Sequence, residues 1–179
     1  NYEIHITDIL LKYIDAHIQE KRGHSHRVAK YSNIIAKAIN MSEEKKKRLY
    51  LASLLHDIGF LRIQAEEMLT REDCIKHSVI GYEMIRPINF YSDFTPFILH
   101  HHERYDGSGY PAKLQGEAIP LEARIIAVAE AFDAMTSGSY YKVPVKLDEA
   151  VKELEENAGT QFDASLVEAF TKNILPDHL

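Results

Sequence analysis

Apolar residues recur at helical spacing along nearly the whole chain, and no segment shows the strict alternation of a half-buried strand. That period confines the fold to packed helices. Ile4, Ile9, Leu10, Tyr13, Ile14 and Ile18 form a first stripe, and Val28, Tyr31, Ile34, Ile35, Ala38 and Ile39 a second. Ser42 followed by Glu43 and Glu44 reads as a helix start, because a hydroxyl cap and early acids satisfy the free N–H groups of a first turn. This helix runs through Leu49, Ala52, Leu54, Leu55 and Ile58, with Gly59 placed to end it. Further helices are expected over 72–86 (ended by Pro87), 93–102 (Pro96 in its first turn), 121–136, 147–157 and 163–174. Between them, residues 103–120 carry Gly107, Gly109, Pro111, Gly116 and Pro120, which makes a long loop of the functional kind. The expected class is all-α, a single-domain helical bundle.

A chain of 179 residues, 45% of them hydrophobic, has enough apolar material for one core. Its formal charge of −6 argues against binding long nucleic acid, though not against a small phosphorylated ligand. Cys74 is the single cysteine, so no internal disulfide can form and a reducing, cytoplasmic compartment is expected. No apolar run reaches membrane-spanning length, so no membrane insertion is expected. The start at Asn1 reads as an excised segment or a processed end, with a regulatory domain expected elsewhere in a longer chain and a homodimer left open.

The ten histidines cluster. His101-His102 opens the Gly/Pro-broken loop, and His56-Asp57 closes the helix that carries Leu54 and Leu55. Neutral imidazole and carboxylate, with no thiolate nearby, suit a catalytic iron, manganese or zinc centre better than a closed structural one. Adjacent side chains on a helix diverge by ~100°, but at a helix end His56 can reach one ion while Asp57 reaches a second. Glu20 and His24 stand four apart, either as neighbours on one helix face or, with Gly23 between them, on the two sides of a helix junction.

Several motifs in order resemble the HD-GYP domain, a bacterial branch of the HD metal-dependent phosphohydrolases. They are Gly23 through Ala29, Leu54-Leu55-His56-Asp57-Ile58-Gly59, Lys76-His77 with Gly81, and His101 through Pro111. Ile119 through Ala129, Ala134 through Ser137, and Gly159 through Asp163 complete the set. The resemblance implies an HD-type bundle with a GYP loop over 20–175, preceded by an N-terminal helix over 1–19 and followed by a tail over 176–179. It implies a metal-dependent phosphodiesterase that hydrolyses cyclic di-GMP to the linear dinucleotide and, in some members, onward to GMP. By position, His24, His56, Asp57, His77, His101, His102 and Glu130 would be metal ligands, and Glu20 would serve a third ion. His56 and Asp57 would also be the catalytic pair, and Lys142 would bind substrate phosphate. Two or three divalent ions are implied, iron or manganese first and zinc next.

The chain departs from the family pattern at named places. Glu130 stands where Asp is usual, with Asp133 as a fallback ligand one turn on. Phe60 stands where the family carries a phosphate-contacting Lys, and Ser139 where it often carries Arg. The span from Asp57 to His77 is short and lacks the common Pro- and Gly-containing segment. Two rival expectations follow: a catalytically degenerate sensor or interaction module, or a phosphohydrolase acting on another nucleotide. Outside the motifs, His26 and His100 are expected to face elsewhere, His5, His17 and His178 to lie on the surface, and Arg27 and Arg124 to brace helices or carboxylates. Arg104 and Asp106 are expected to pair within the loop, and Tyr140-Tyr141 to pack or stack on a base.

Overall fold

The computed structural model of the chain describes residues 2–18, 21–63, 71–137 and 143–179. Its helices, in chain order, are α1 (Tyr2–His17), α2 (His24–Ala38), α3 (Glu43–Leu55), α4 (Arg71–Ile85), α5 (Thr95–Leu99), α6 (Leu121–Thr136), α7 (Leu147–Glu156) and α8 (Ala164–Thr171). Short 3₁₀ turns at Ile58–Arg62, Asn89–Phe94, Gly116–Ala118 and Pro176–His178 link or finish them. Among the described residues there is no strand beyond an isolated bridge between Ala158 and Phe162, as the helical period predicts.

α2 is the hub, packing on α3, α6 and α8. It offers Val28, Tyr31 and Ile35 to Ile125, Val128 and Phe132 of α6, all fully buried. Tyr31 meets Phe132 edge-on at 4.9 Å, and Phe132 meets Phe170 of α8 at 4.8 Å between centroids. Each such buried side chain contributes about 1.5–3 kcal/mol of transfer free energy, enough to fix the α2–α6–α8 contact. Caps set the helix starts. Ser42 Oγ accepts from the Lys45 amide, and the Asp163 carboxylate accepts from that of Ser165. Arg124 on α6 donates to the same Asp163 at 2.6 Å and ties α6 to α8, as its expected bracing role requires.

Four sequence expectations need correction. α1 buries Thr7, Leu11 and Ile14, whereas Ile4, Ile9 and Tyr13 are exposed. The period counted apolar residues and could not see that Thr7 belongs to the inner face, where its hydroxyl bonds to Tyr91 Oη at 2.6 Å. The helices at 93–102 and 163–174 are shorter than expected, because residues 89–94 wind as 3₁₀ and α8 stops at Thr171. His17 is not a free surface residue, since its Nε2 contacts the Ile63 carbonyl at 2.6 Å. Gly59 does not end α3, which stops at Leu55 with His56 as its C-cap.

Gly59 has a different task. A Cβ there would lie 1.9 Å from the His77 carbonyl oxygen and 2.8 Å from the Gly81 amide. Gly59 and Gly81 therefore let the Ile58–Arg62 turn and α4 touch backbone to backbone, which draws His77 up beside Asp57. Gly59→Ala is expected to cost about 3 kcal/mol by overpacking, read as a lower denaturation midpoint with an unchanged denaturant slope.

Candidate metal centre

The end of α3 supplies the first donors. His56 is its C-cap, and Asp57 follows with φ −99° and ψ 9°, off the helical path. The two side chains can thus converge on one region, as a helix-end position predicts. His24 opens α2, Glu130 lies within α6, His77 lies within α4, and His101 and His102 come just after His100, the C-cap of α5. Five separate elements each bring a donor to one point.

A repeated device aims the rings. His56 donates through Nδ1 to the Ser53 carbonyl at 2.6 Å, His77 to that of Cys74 at 2.6 Å, and His101 to that of Ile98 at 2.5 Å. A carbonyl only accepts, so Nδ1 carries the hydrogen and Nε2 faces inward. His24 is fixed differently. Its Nδ1 lies 2.5 Å from Asp133 Oδ2, and Arg27 Nε donates to Asp133 Oδ1 at 2.7 Å. Asp133, offered as a fallback ligand, instead orients the ligand candidate His24 from behind.

The inward atoms form two sets, His24–His56–Asp57–Glu130 and His77–His101–His102, each with its candidate atoms within 4.8 Å of one another. Glu130 Oε2 lies 2.8 Å from His24 Nε2 and 2.6 Å from His56 Nε2. Asp57 stands between the sets. Its Oδ2 is 3.4 Å from His24 Nε2 and 3.3 Å from His56 Nε2, whereas Oδ1 is 3.3 Å from His77 Nε2. That Oδ1 is buried with no hydrogen-bond partner among the described residues. His77 Nε2 and His101 Nε2 face each other at 3.2 Å. In their neutral form these rings present lone pairs to each other and to Asp57 Oδ1, an array of acceptors that suits a cation. The donor set therefore fits divalent metal, with Asp57 reaching both positions.

The electrostatics divide along the same line. Burial and the neighbouring imidazoles lower His102 to about 4 and hold His101 well below its ordinary value, so both rings are neutral at neutral pH. Burial opposes charge on His56, but Asp57 and Glu130 outweigh it and raise the ring to about 10. Burial also opposes charge on Asp57 and Glu130, and here His56 and Lys21 beside the first and His24 beside the second keep both carboxyls well below the usual range. The carboxylate-rich set is built to hold positive charge. His101 and His102, in the imidazole set, are built to stay uncharged and donate lone pairs.

The loop after His102 is pinned to the same region. Tyr110 stacks on His102 at 5.2 Å and 25°. A Cβ on Gly109 would meet the Arg104 amide nitrogen at 2.3 Å, so the chain folds flat against its own start. Buried Glu103 accepts from the amides of Ala112 and Leu114 at 3.0 and 3.1 Å and from His100 Nδ1 at 2.9 Å. The Gly159–Asp163 motif clamps the outer side, its carbonyls at Thr160 and Gln161 accepting from Asp106 and Tyr105. Ser108 links Arg104 and Asp106, bonding both more closely than the 3.8 Å between the pair.

Of the sequence-predicted ligands, His24, His56, Asp57, His77, His101, His102 and Glu130 all come together. Glu20 and Lys142 lie outside the described residues, as do Ser139, Tyr140 and Tyr141. His26 is exposed and His100 turns to Glu103, both as expected. Sequence reasoning missed Glu103 and Lys21. An acid directly after two metal-type histidines hints at Glu103, whereas nothing in the sequence marks Lys21. Asp133→Asn should weaken metal binding about 10- to 100-fold while leaving helical content unchanged, as measured by metal titration and circular dichroism.

The family model described as HD domain matches residues 8–166. The cyclic di-GMP phosphodiesterase response regulator RpfG of Xanthomonas campestris pv. campestris is 38% identical over 156 residues, covering 82% of this chain and 41% of that protein. A cyclic di-GMP phosphodiesterase of Thermotoga maritima is 36% identical, covering 94% of this chain and 48% of that one. The chain thus spans less than half the length of these relatives. A cyclic GMP-AMP specific phosphodiesterase of Vibrio cholerae, V-cGAP3, shares the fold in its crystal structure, with a TM-score of 0.79, 21% identity, and coverage of 97% of this chain and 49% of that one.

Proposed function

The chain belongs to the HD domain family, and from that premise we propose that it is a metal-dependent phosphodiesterase that opens cyclic di-GMP to the linear dinucleotide. One observation carries the reading: a single buried carboxylate, Asp57, faces two adjoining sets of metal-type donors. Divalent ions, when bound, acidify water and neutralise the charge that builds on a phosphoryl group during in-line displacement. We assign His24, His56, Asp57 and Glu130 to one ion and His77, His101, His102 and Asp57 to another, with Glu20 for a third. Imidazole and carboxylate without thiolate support iron or manganese, then zinc.

The chain's own residues divide the remaining work. Asp57 fixes the spacing of the two positions. Asp133 and the carbonyls of Ser53, Cys74 and Ile98 hold the rings of His24, His56, His77 and His101, so these four need not reorient as substrate arrives. Tyr110 and Glu103 keep the loop, and with it His102, in register. Lys142 is assigned to a substrate phosphate. A cytoplasmic setting and a regulatory domain in the longer protein suit an enzyme acting on a signalling dinucleotide.

A second substrate, cyclic GMP-AMP, is favoured by the likeness to the Vibrio cholerae enzyme named for it, and the two cyclic dinucleotides offer the same phosphodiester to the metals. Protein loaded anaerobically with iron or manganese should turn over at least one of them, with cyclic di-GMP preferred in competition. His56→Ala should abolish turnover and lower the metal content per chain. Full metal occupancy with no hydrolysis of either dinucleotide would replace this reading with that of a binding module.

A further inference from the structure

One charged side chain touches the centre without belonging to either donor set. Lys21, in the turn between α1 and α2, places Nζ 3.1 Å from Asp57 Oδ2. The same Nζ sits over the ring of Phe60, 4.6 Å from its centroid. Phe60 is itself buried and lies parallel to His77, at 4.2 Å and 11°. A stack of His77, Phe60 and Lys21 thus locates the ammonium against both donor sets at once. The Lys21 side chain is 27% exposed while that of Asp57 is 1% exposed. Of the two partners, Lys21 is therefore the one on the solvent side of the contact.

Charge shows what kind of ligand that is. An ammonium has three donors. Asp57 takes one, the Phe60 face offers only its π cloud, and the described residues supply no further hydrogen-bond acceptor. Asp57 and Glu130 bring two negative charges to the four-residue donor set. Two divalent ions would bring four positive charges, and Asp57 would then be shared with both. Lys21 would lose much of its counter-charge in a place where an unpaired ion is costly. A phosphodiester oxygen would offset part of that positive charge and give the ammonium an anionic acceptor.

We propose that Lys21 is a substrate-contacting residue that binds a non-bridging oxygen of the phosphodiester at the mouth of the metal centre, with Phe60 as the platform that holds it there. The inference rests on the phosphodiesterase reading above and deepens it. It gives the chain a phosphate cation that comes from the α1–α2 turn rather than from the segment following the His56-Asp57 step.

The test compares wild type with Lys21→Met and Lys21→Arg, each metal-loaded, and reads metal per chain, calorimetric affinity for inorganic phosphate, and kinetics on cyclic di-GMP. Lys21→Met should keep its metal, lose about 10- to 100-fold in phosphate affinity, and raise KM more than it lowers kcat. Lys21→Arg, which keeps the charge, should stay within about threefold of wild type in phosphate affinity. Unchanged phosphate affinity in Lys21→Met, loss of its metal, or no phosphate binding by wild type would overturn the proposal. Phosphate binding that depends on Lys21, without dinucleotide hydrolysis by wild type, would uphold the phosphate contact and overturn the substrate reading instead.

Discussion

The whole arrangement turns on one buried carboxylate. Asp57 is 1% exposed, and a charge so placed is costly unless cations or donors surround it. His24, His56, His77 and Lys21 all approach it. These come from α2, the end of α3, α4 and the α1–α2 turn, so the partners of Asp57 exist only when those elements are packed. The apolar core supplies that packing. Leu54, Leu55 and Ile58, immediately beside the His-Asp step, are buried in the main cluster along with Ile98, whose carbonyl anchors His101. Fold and site are therefore one problem: the core sets the helix ends, and the helix ends set the donors.

The polar centre is kept in order chiefly by short local bonds. Three rings are fixed by carbonyls three residues earlier in the chain. Such bonds need little more than local helical geometry, so each of these three histidines is oriented from within its own stretch of chain. Packing then needs to bring in only rigid groups. This divides the entropy cost of assembling the site: ring torsions are restrained locally, and the relative placement of helices is fixed by apolar burial. The other two rings differ: His102 stacks on Tyr110, and His24 is held from across the fold. His24 opens α2 and so has no earlier helical carbonyl to use, and Asp133 from α6 replaces one.

The same division explains what the sequence discloses. Local signals survive well: α6 begins at Leu121 and ends at Thr136 as its apolar period requires, and Ser42 caps α3. His56-Asp57 and His101-His102 stand out because imidazole beside carboxylate or imidazole is rare enough to read directly. Pairings across the chain leave little trace. Thr7 is buried because of Tyr91, and Gly59 is required because of His77. The value of Lys21 depends on Asp57 and Phe60, tens of residues away. Composition and period describe one element at a time, whereas these residues take their roles from a second element. A motif match carries some of that information, which is why His77 could be placed in the ligand set although nothing about its own helix singles it out.

Glu130 and Asp133 show how far such a match goes. They are three residues apart on one face of α6, so either could be the acid that meets His24. Both do, at opposite edges of the imidazole: Asp133 at Nδ1 and Glu130 at Nε2. The Asp133 carboxylate is also held by Arg27 from the far side, away from the other donors. The acid on the Nε2 edge must extend past the ring to reach His56 as well, and Glu130 has the additional methylene to do so, ending 2.6 Å from that Nε2. Shortening Glu130 to Asp would withdraw the carboxylate from the space between His24 and His56 unless α6 shifted, and α6 is anchored by Phe132 in the core and by Arg124 on Asp163. The longer acid is thus matched to the position its helix occupies, and Glu130 and Asp133 do different work that neither could exchange.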